Sequence, residues 1–139
     1  MQNKSNIFMT FGKMPIANNF LKKDNFSDEY FFEMEVSFDE KKSLFQLANF
    51  PKPSQMFNEN YKFFTSSSNY MIKHFKDYAN WSKKYLNSKS KIIELGSNDG
   101  TFLKNFKSKK TNILGIEPSK NVAFIAKKKN INTLNEFFT

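Results

Sequence analysis

Apolar and polar positions alternate most cleanly over Tyr30-Phe-Phe-Glu-Met-Glu-Val-Ser-Phe38, where Phe32, Met34, Val36 and Phe38 share one side and Glu33, Glu35 and Ser37 the other. A period of two predicts a half-buried strand. Asp39-Glu-Lys-Lys42 is a polar turn and Ser43–Leu47 a returning strand, so a β-hairpin is expected. Before it, a short strand is expected around Ile7–Phe11, and Met14–Leu21 reads as an ordered loop or single helical turn. Phe50-Pro-Lys-Pro-Ser54 is a breaker that predicts a lobe boundary. From Asn69 to Leu86 the period changes: Tyr70, His74, Tyr78, Trp81 and Tyr85 recur at helical spacing beside Met71 and Phe75. This aromatic stripe is expected to be core, and His74 a partly buried helix residue, not a ligand or base.

The last third has a third pattern. Ile92, Ile93 and Leu95 form a short apolar run with β-branched residues that reads as a buried strand of a parallel sheet. Gly96 and Gly100 bracket a tight turn holding Asn98 and Asp99, and Phe102, Leu103 and Phe106 then follow at helical spacing. Asn112–Ile116 is a second buried strand ending on Glu117. Pro118 suits the first turn of a helix packed through Val122, Ala123, Phe124 and Ala126. Lys127-Lys-Lys129 at its end reads as dipole-compensating charge and nothing more, and Ile131–Leu134 as a third strand. Strand, glycine turn, helix, strand, acid is the first half of a nucleotide-binding βαβ unit.

The turn's chemistry narrows the ligand. A glycine at a strand end lets the backbone approach a bound molecule, and a following helix start offers free N–H groups. Glu117 can accept hydrogen bonds from ribose hydroxyls. The spacing Gly96-x-x-x-Gly100 is not the G-x-G-x-x-G that cradles a pyrophosphate. A nucleoside without phosphate, such as S-adenosylmethionine, does not need that cluster.

Glu94-Leu-Gly-Ser-Asn-Asp-Gly100 resembles motif I of the class I S-adenosylmethionine-dependent methyltransferases, and Gly115-Ile-Glu-Pro-Ser-Lys-Asn-Val-Ala123 resembles the ribose-binding strand end of their sugar C-methyltransferase branch. Met14–Leu21, Met56–Tyr61, Phe64–Ser68 and Asn135–Phe138 resemble the N-terminal half of the same family, so the likeness runs from about Phe11 to Thr139. The fold it implies is α/β: a partial Rossmann-like class I methyltransferase sheet preceded by a small β-hairpin lobe. The lobe is expected at 1–53, and the loop, helix and truncated first half of the cofactor domain at 54–139. The resemblance implies S-adenosylmethionine as cofactor, held by Gly96, Ser97, Asn98, Asp99, Gly100, Glu117, Pro118 and Asn121, with the 61–66 loop closing the side. It implies methylation of a carbon of a nucleotide-linked deoxyketosugar, through an enolate formed beside a ketone. The catalytic base stays unknown, with Tyr61 the candidate on this side. The family's lobe binds zinc, but its Cys-x-x-Cys positions read Asp39 and Lys42 here, so no metal is expected.

Length and composition set the remaining bounds. The chain has 139 residues, and only about three strands fit between Lys91 and Thr139, so it is expected to be the front portion of a larger enzyme. A separate chain carrying the rest of the fold is one open partner, beside the nucleotide-sugar. The net charge of +9 comes from 22 basic residues, all lysine; base readout favours arginine, so no nucleic acid is expected. There is no cysteine and so no disulfide or thiolate site. No apolar run has membrane-spanning length and no signal-peptide core is visible, so a soluble cytoplasmic protein is expected. Two alternatives stay open: a nicotinamide-dependent Rossmann enzyme, and a non-catalytic remnant or binding module.

Overall fold

The computed structural model describes residues 6–17, 19–107 and 112–139. The chain divides into two compact units, 1–56 and 57–139.

The first unit is a three-stranded antiparallel meander in the order β1–β2–β3, formed by β1 (Asn6–Pro15), β2 (Phe31–Asp39) and β3 (Leu44–Leu47), and followed by a single turn α1 (Pro53–Met56). The hairpin pairs Val36 with Leu47 and Phe38 with Phe45. Its turn is closed by the Lys42 amide donating to Asp39 Oδ1 at 3.1 Å. An Asp–Lys turn thus stands where the resemblance would put a cysteine pair.

Two expectations fail here. β1 continues to Pro15 instead of ending near Phe11, because the ladder shifts register between Thr10 and Lys13 and resumes with Lys13–Glu33 and Met14–Phe32. Gly12, at φ 70°, supplies the left-handed residue in that irregular stretch, and Pro15 is tolerated because β1 is an edge strand. The alternation of β2 also breaks at its end: Ser37 is buried and Phe38 exposed. The Ser37 hydroxyl donates to the Gln46 carbonyl at 3.4 Å, which keeps the buried oxygen paired, while the Phe8 and Phe45 rings pack on each other at 5.6 Å.

The second unit holds α2 (Asn69–Ser82), β4 (Lys91–Leu95), β5 (Asn112–Ile116), α3 (Lys120–Lys128) and β6 (Thr133–Leu134). The three strands form a parallel sheet in the order β4–β5–β6, so the protein is mixed α/β and compatible with a partial Rossmann-like fold. Its small core is Leu103, Ala126 and Ile131, with Ile92 and Ile113 packed against them.

Ser68 caps α2 by accepting from the Met71 amide at 3.3 Å. The helix stops at Ser82 and tightens into a 3₁₀ turn, Lys83–Tyr85, before reaching Leu86. Its aromatic stripe is not core: Tyr70, Tyr78, Trp81 and Tyr85 are exposed and Ala79 alone is buried on the helix. The rings satisfy one another instead. Phe75 and Tyr78 pack on Phe102 at 5.6 and 5.4 Å, and Trp81 packs on Tyr78 at 5.6 Å. His74 is exposed, with its ring against Phe75.

The segment after the glycine turn is a 3₁₀ helix, Leu103–Phe106, not an α-helix from Thr101. The Asn105 side chain donates to the carbonyls of Thr101 and Phe102, and the helix ends at Phe106, with Lys107 extended. Pro118 lies before the cap residue Ser119 and outside the first turn of α3. Ile131 belongs to the core and not to β6, which is only two residues long. Among the described residues no helix is long and apolar enough to cross a membrane.

Candidate functional site at the strand ends

The carboxyl ends of β4 and β5 are joined by the glycine turn. The amides of Gly96 and Ser97 both donate to the Ile116 carbonyl, at 2.8 and 3.1 Å, which pins the turn to β5. The chain takes left-handed conformations at Gly96, Asn98 and Gly100, with φ of 68°, 48° and 74°. At Gly96 a Cβ would meet nothing, so bare backbone faces open space; at Gly100 it would stand 3.0 Å from Ile131. The backbone at Gly96 is therefore open, whereas a side chain at Gly100 would press on Ile131.

Glu117 is buried at the tip of β5. One carboxylate oxygen accepts from the Asn98 amide at 2.9 Å and the other from the Ser119 amide at 2.7 Å. It ties the glycine turn to the start of α3, and its remaining lone pairs are what it can offer a ligand. Asp99 is fully buried and accepts from Thr101 Oγ1 at 2.6 Å, from the Ser66 amide at 3.1 Å and from Lys129 Nζ at 3.1 Å. Burial alone would oppose its ionisation; the hydrogen bonds from Ser66, Thr101 and Lys129 outweigh that and hold its carboxyl below the ordinary value.

These side chains also bind the loop 61–66. Asn98 accepts from the Thr65 amide at 2.9 Å and donates to the Phe63 carbonyl at 3.0 Å. Asn121 donates to the Tyr61 carbonyl at 2.6 Å. Asn98, Asp99 and Asn121, read from the sequence as ligand contacts, are thus brought together as the clamp that holds this loop over the strand ends. Tyr61 is half-buried, and burial together with the charge of Glu117 raises its phenol pKa. Ser97 Oγ, Ser119 Oγ and Asn121 Oδ1 are buried without a partner in the protein. Of these, Ser97 Oγ faces the backbone of Gly115, where a Cβ would lie only 2.3 Å from it.

Two residues that sequence reasoning passed over belong to this constellation. Glu94 lies on β4 opposite Gly115, and its Oε2 is buried without a partner. Burial, then the charges of Asp99 and Glu117, push its pKa up to about 8. An acid inside the run Ile92-Ile-Glu-Leu95 was the available signal. Lys129, expected to do no more than offset the helix dipole, turns back from α3 to pair with Asp99 and reaches its carbonyl at 3.1 Å and Ser66 Oγ at 3.5 Å. No local pattern announces a partner 30 residues away. Among the described residues no group of three or more His, Cys, Asp or Glu side chains could hold a metal ion. A separate hollow of about 310 Å³, lined by Lys83, Asn87, Asn105 and Lys107 among others, contains none of these strand-end residues.

No family model matches the chain. A C-methyltransferase, NovU of Streptomyces niveus, is 25% identical over 134 residues, which is 94% of this chain and 32% of that protein. The chain therefore spans about a third of the length of the curated relative it matches. The likeness supports a distant, methyltransferase-like relationship.

Proposed function

We propose that the chain is the cofactor-binding portion of an S-adenosylmethionine-dependent methyltransferase, with the ligand over the carboxyl ends of β4 and β5. The observation that carries this reading is the electrostatics of the strand ends. Three carboxyl groups, Glu94, Asp99 and Glu117, interact at the glycine turn of a chain whose net charge is +9. Only Asp99 among them pairs with a lysine in the described structure. Glu94 and Glu117 have no lysine partner in the described structure, and Glu94 can give up its proton to a cationic group, so a sulfonium with an ammonium group suits the site. The acids here and the spacing Gly96-x-x-x-Gly100 offer a dinucleotide's pyrophosphate no cradle, which weighs against the nicotinamide reading.

The residues divide the work. Gly96 leaves room for backbone approach, Glu94 offers an unpaired acid to the ammonium, and Glu117 offers its spare lone pairs to the ribose hydroxyls. Asn121 Oδ1 and Ser119 Oγ are further acceptors, and Asn98, Asp99 and Lys129 hold the 61–66 loop beside them. The bound cofactor supplies an electrophilic methyl group. Following the resemblance of its motifs to the sugar C-methyltransferases, the acceptor is a carbon of a nucleotide-linked deoxyketosugar, with Tyr61 the candidate on this side for the substrate. The stretch 1–53, which contains the meander β1–β3, is proposed as a degenerate form of the family's lobe, and the chain as a cytoplasmic protein.

Calorimetric titration tests the reading. S-adenosylmethionine should bind, and a nicotinamide dinucleotide should not at the same concentration. Glu117→Gln, which keeps one carbonyl acceptor for the turn, should weaken binding by roughly tenfold or more through loss of one charge-assisted acceptor. Tighter binding of the dinucleotide, or equal S-adenosylmethionine affinity in a variant with an unchanged circular dichroism spectrum, would falsify the assignment.

A further inference from the structure

The hollow beside Lys83 and Lys107 lies at the opposite end of β4 from the glycine turn. It holds about 310 Å³, near the lower end of what small-molecule sites enclose. Ser90, which lines it, immediately precedes β4, and Lys107 follows the 3₁₀ turn that ends at Phe106. β4 spans roughly 13 Å from Lys91 to Leu95, so the hollow is remote from Gly96. Its apolar lining comes from the buried Phe106 and the half-buried Leu86.

The polar lining is rich in donors and poor in acceptors. The ammonium groups of Lys83 and Lys107 each carry three protons. Among the described residues their partners are neutral: Asn80 Oδ1 at 3.1 Å for Lys83, and the Lys129 carbonyl at 3.3 Å for Lys107. No carboxylate lines the hollow, and neither lysine has an ion pair among the described residues. Asn87 accepts from the Lys89 amide at 2.9 Å through Oδ1, and its Nδ2 has no acceptor among the described residues. The Ser90 oxygen accepts from the Asn87 amide at 2.9 Å, which leaves its own proton to donate. Asn105 directs Nδ2 at the Thr101 and Phe102 carbonyls, so its Oδ1 is the one side-chain acceptor in contrast to these donors. Offsetting the end of α2 does not require Lys83. That end carries about half a charge, and Lys84 stands beside it, over the Trp81 and Tyr85 rings at 5.0 and 4.9 Å. Two like charges lining one hollow repel, and a bound anion relieves that repulsion.

We propose that this hollow binds a phosphate monoester carrying a small apolar group. Lys83 and Lys107 pair with the phosphate oxygens, Asn87 and Ser90 donate beside them, and Leu86 and Phe106 meet the apolar part. Two cations suit a dianion better than a single carboxylate, and the phosphate's three free oxygens can take all four donors. The volume accommodates a compact ester and not a dinucleotide. Because both lysines are exposed, binding is of millimolar order and weakens with salt. The net charge of +9 draws anions to the chain in general, and the hollow adds donors directed at one of them. The proposal stands on the hollow and not on the strand-end ligand, so either can fail alone.

The test titrates the whole isotope-labelled chain with phenyl phosphate, and separately with inorganic phosphate and benzoate, while amide chemical shifts are recorded. Saturable shifts are expected at residues 83–90 and 105–107, with none of similar size at 96–99. Phenyl phosphate should bind about threefold or more tighter than inorganic phosphate through its buried ring, and tighter than the singly charged benzoate. Lys83→Met and Lys107→Met should each weaken it by about tenfold, and Lys83→Arg should restore most of the loss. Both lysines are exposed, so each single variant should keep its circular dichroism spectrum. Unsaturable shifts spread over the lysine-rich surface, shifts centred on 96–99, phenyl phosphate no tighter than inorganic phosphate or benzoate, or binding undiminished in both single variants would each overturn the proposal.

Discussion

Gly115→Ala is the most demanding perturbation that the strand-end geometry offers. A Cβ at Gly115 would lie 2.3 Å from Ser97 Oγ, 2.8 Å from Ser97 Cβ and 3.2 Å from Leu103 Cδ1. The first two separations lie inside van der Waals contact, so the turn or the strand must move. Neither is free to move. Gly115 sits in the central strand, paired to Glu94 on one side and Thr133 on the other. Ser97 is held by its own amide and that of Gly96 to the Ile116 carbonyl. Overpacking of this kind costs about 1–3 kcal/mol, and displacing an anchoring amide costs about 1 kcal/mol more. A loss of about 2–4 kcal/mol is expected in urea-induced unfolding followed by circular dichroism. Ser97→Gly should rescue it, because Ser97 Oγ has no partner to lose and both clashing atoms go with it. A double-mutant cycle should show at least ~1 kcal/mol of favourable coupling. A Gly115→Ala variant within about 0.5 kcal/mol of wild type, or strictly additive substitutions, would refute the close approach of the turn to β5.

Lys129→Met leaves the fully buried Asp99 without its cation; because the lysine is 34% exposed, the expected cost is about 1–3 kcal/mol, read in the same unfolding assay with faster proteolysis of the 61–66 loop. Asp99 is held below its ordinary value, so its contribution is present above that value and lost as pH falls through the folded one; in Lys129→Met the acid loss should begin at higher pH than in wild type. Glu94 has the opposite sign. Its carboxyl, raised to about 8, binds a proton more tightly folded than unfolded, so stability should fall as pH rises from about 4.5 to 8, and Glu94→Gln should remove that slope. A cationic ligand that pairs with Glu94 should release a proton near pH 7, visible as a dependence of the calorimetric heat on buffer ionisation enthalpy, and Glu94→Gln should abolish it. Glu117→Ala should cost stability as well as affinity, about 2–4 kcal/mol, because it leaves the Asn98 and Ser119 amides without their carboxylate; Glu117→Gln should cost about half of that.

The sequence by itself determined what short-range pattern can carry. The alternation over 30–38, the apolar run with β-branched residues at 92–95 and the glycines at 96 and 100 located the hairpin, the parallel strand and the turn, because side-chain period and φ preference act within a few residues. Glu117 was placed at a strand tip for the same reason. Tertiary structure decided where each face and each charge ended up. Helical spacing of Tyr70, Tyr78, Trp81 and Tyr85 is the same whether the stripe enters a core or stacks ring on ring outside it, and only the small second unit leaves it outside. The shift that carries β1 past Gly12 depends on a partner strand some twenty residues on. The duties of Asn98, Asp99 and Asn121 as a loop clamp, the pairing of Lys129, and the raised pKa of Glu94 all come from groups remote in sequence. A residue's type states which bonds it can make; burial and the neighbours brought by the fold decide which of them it makes.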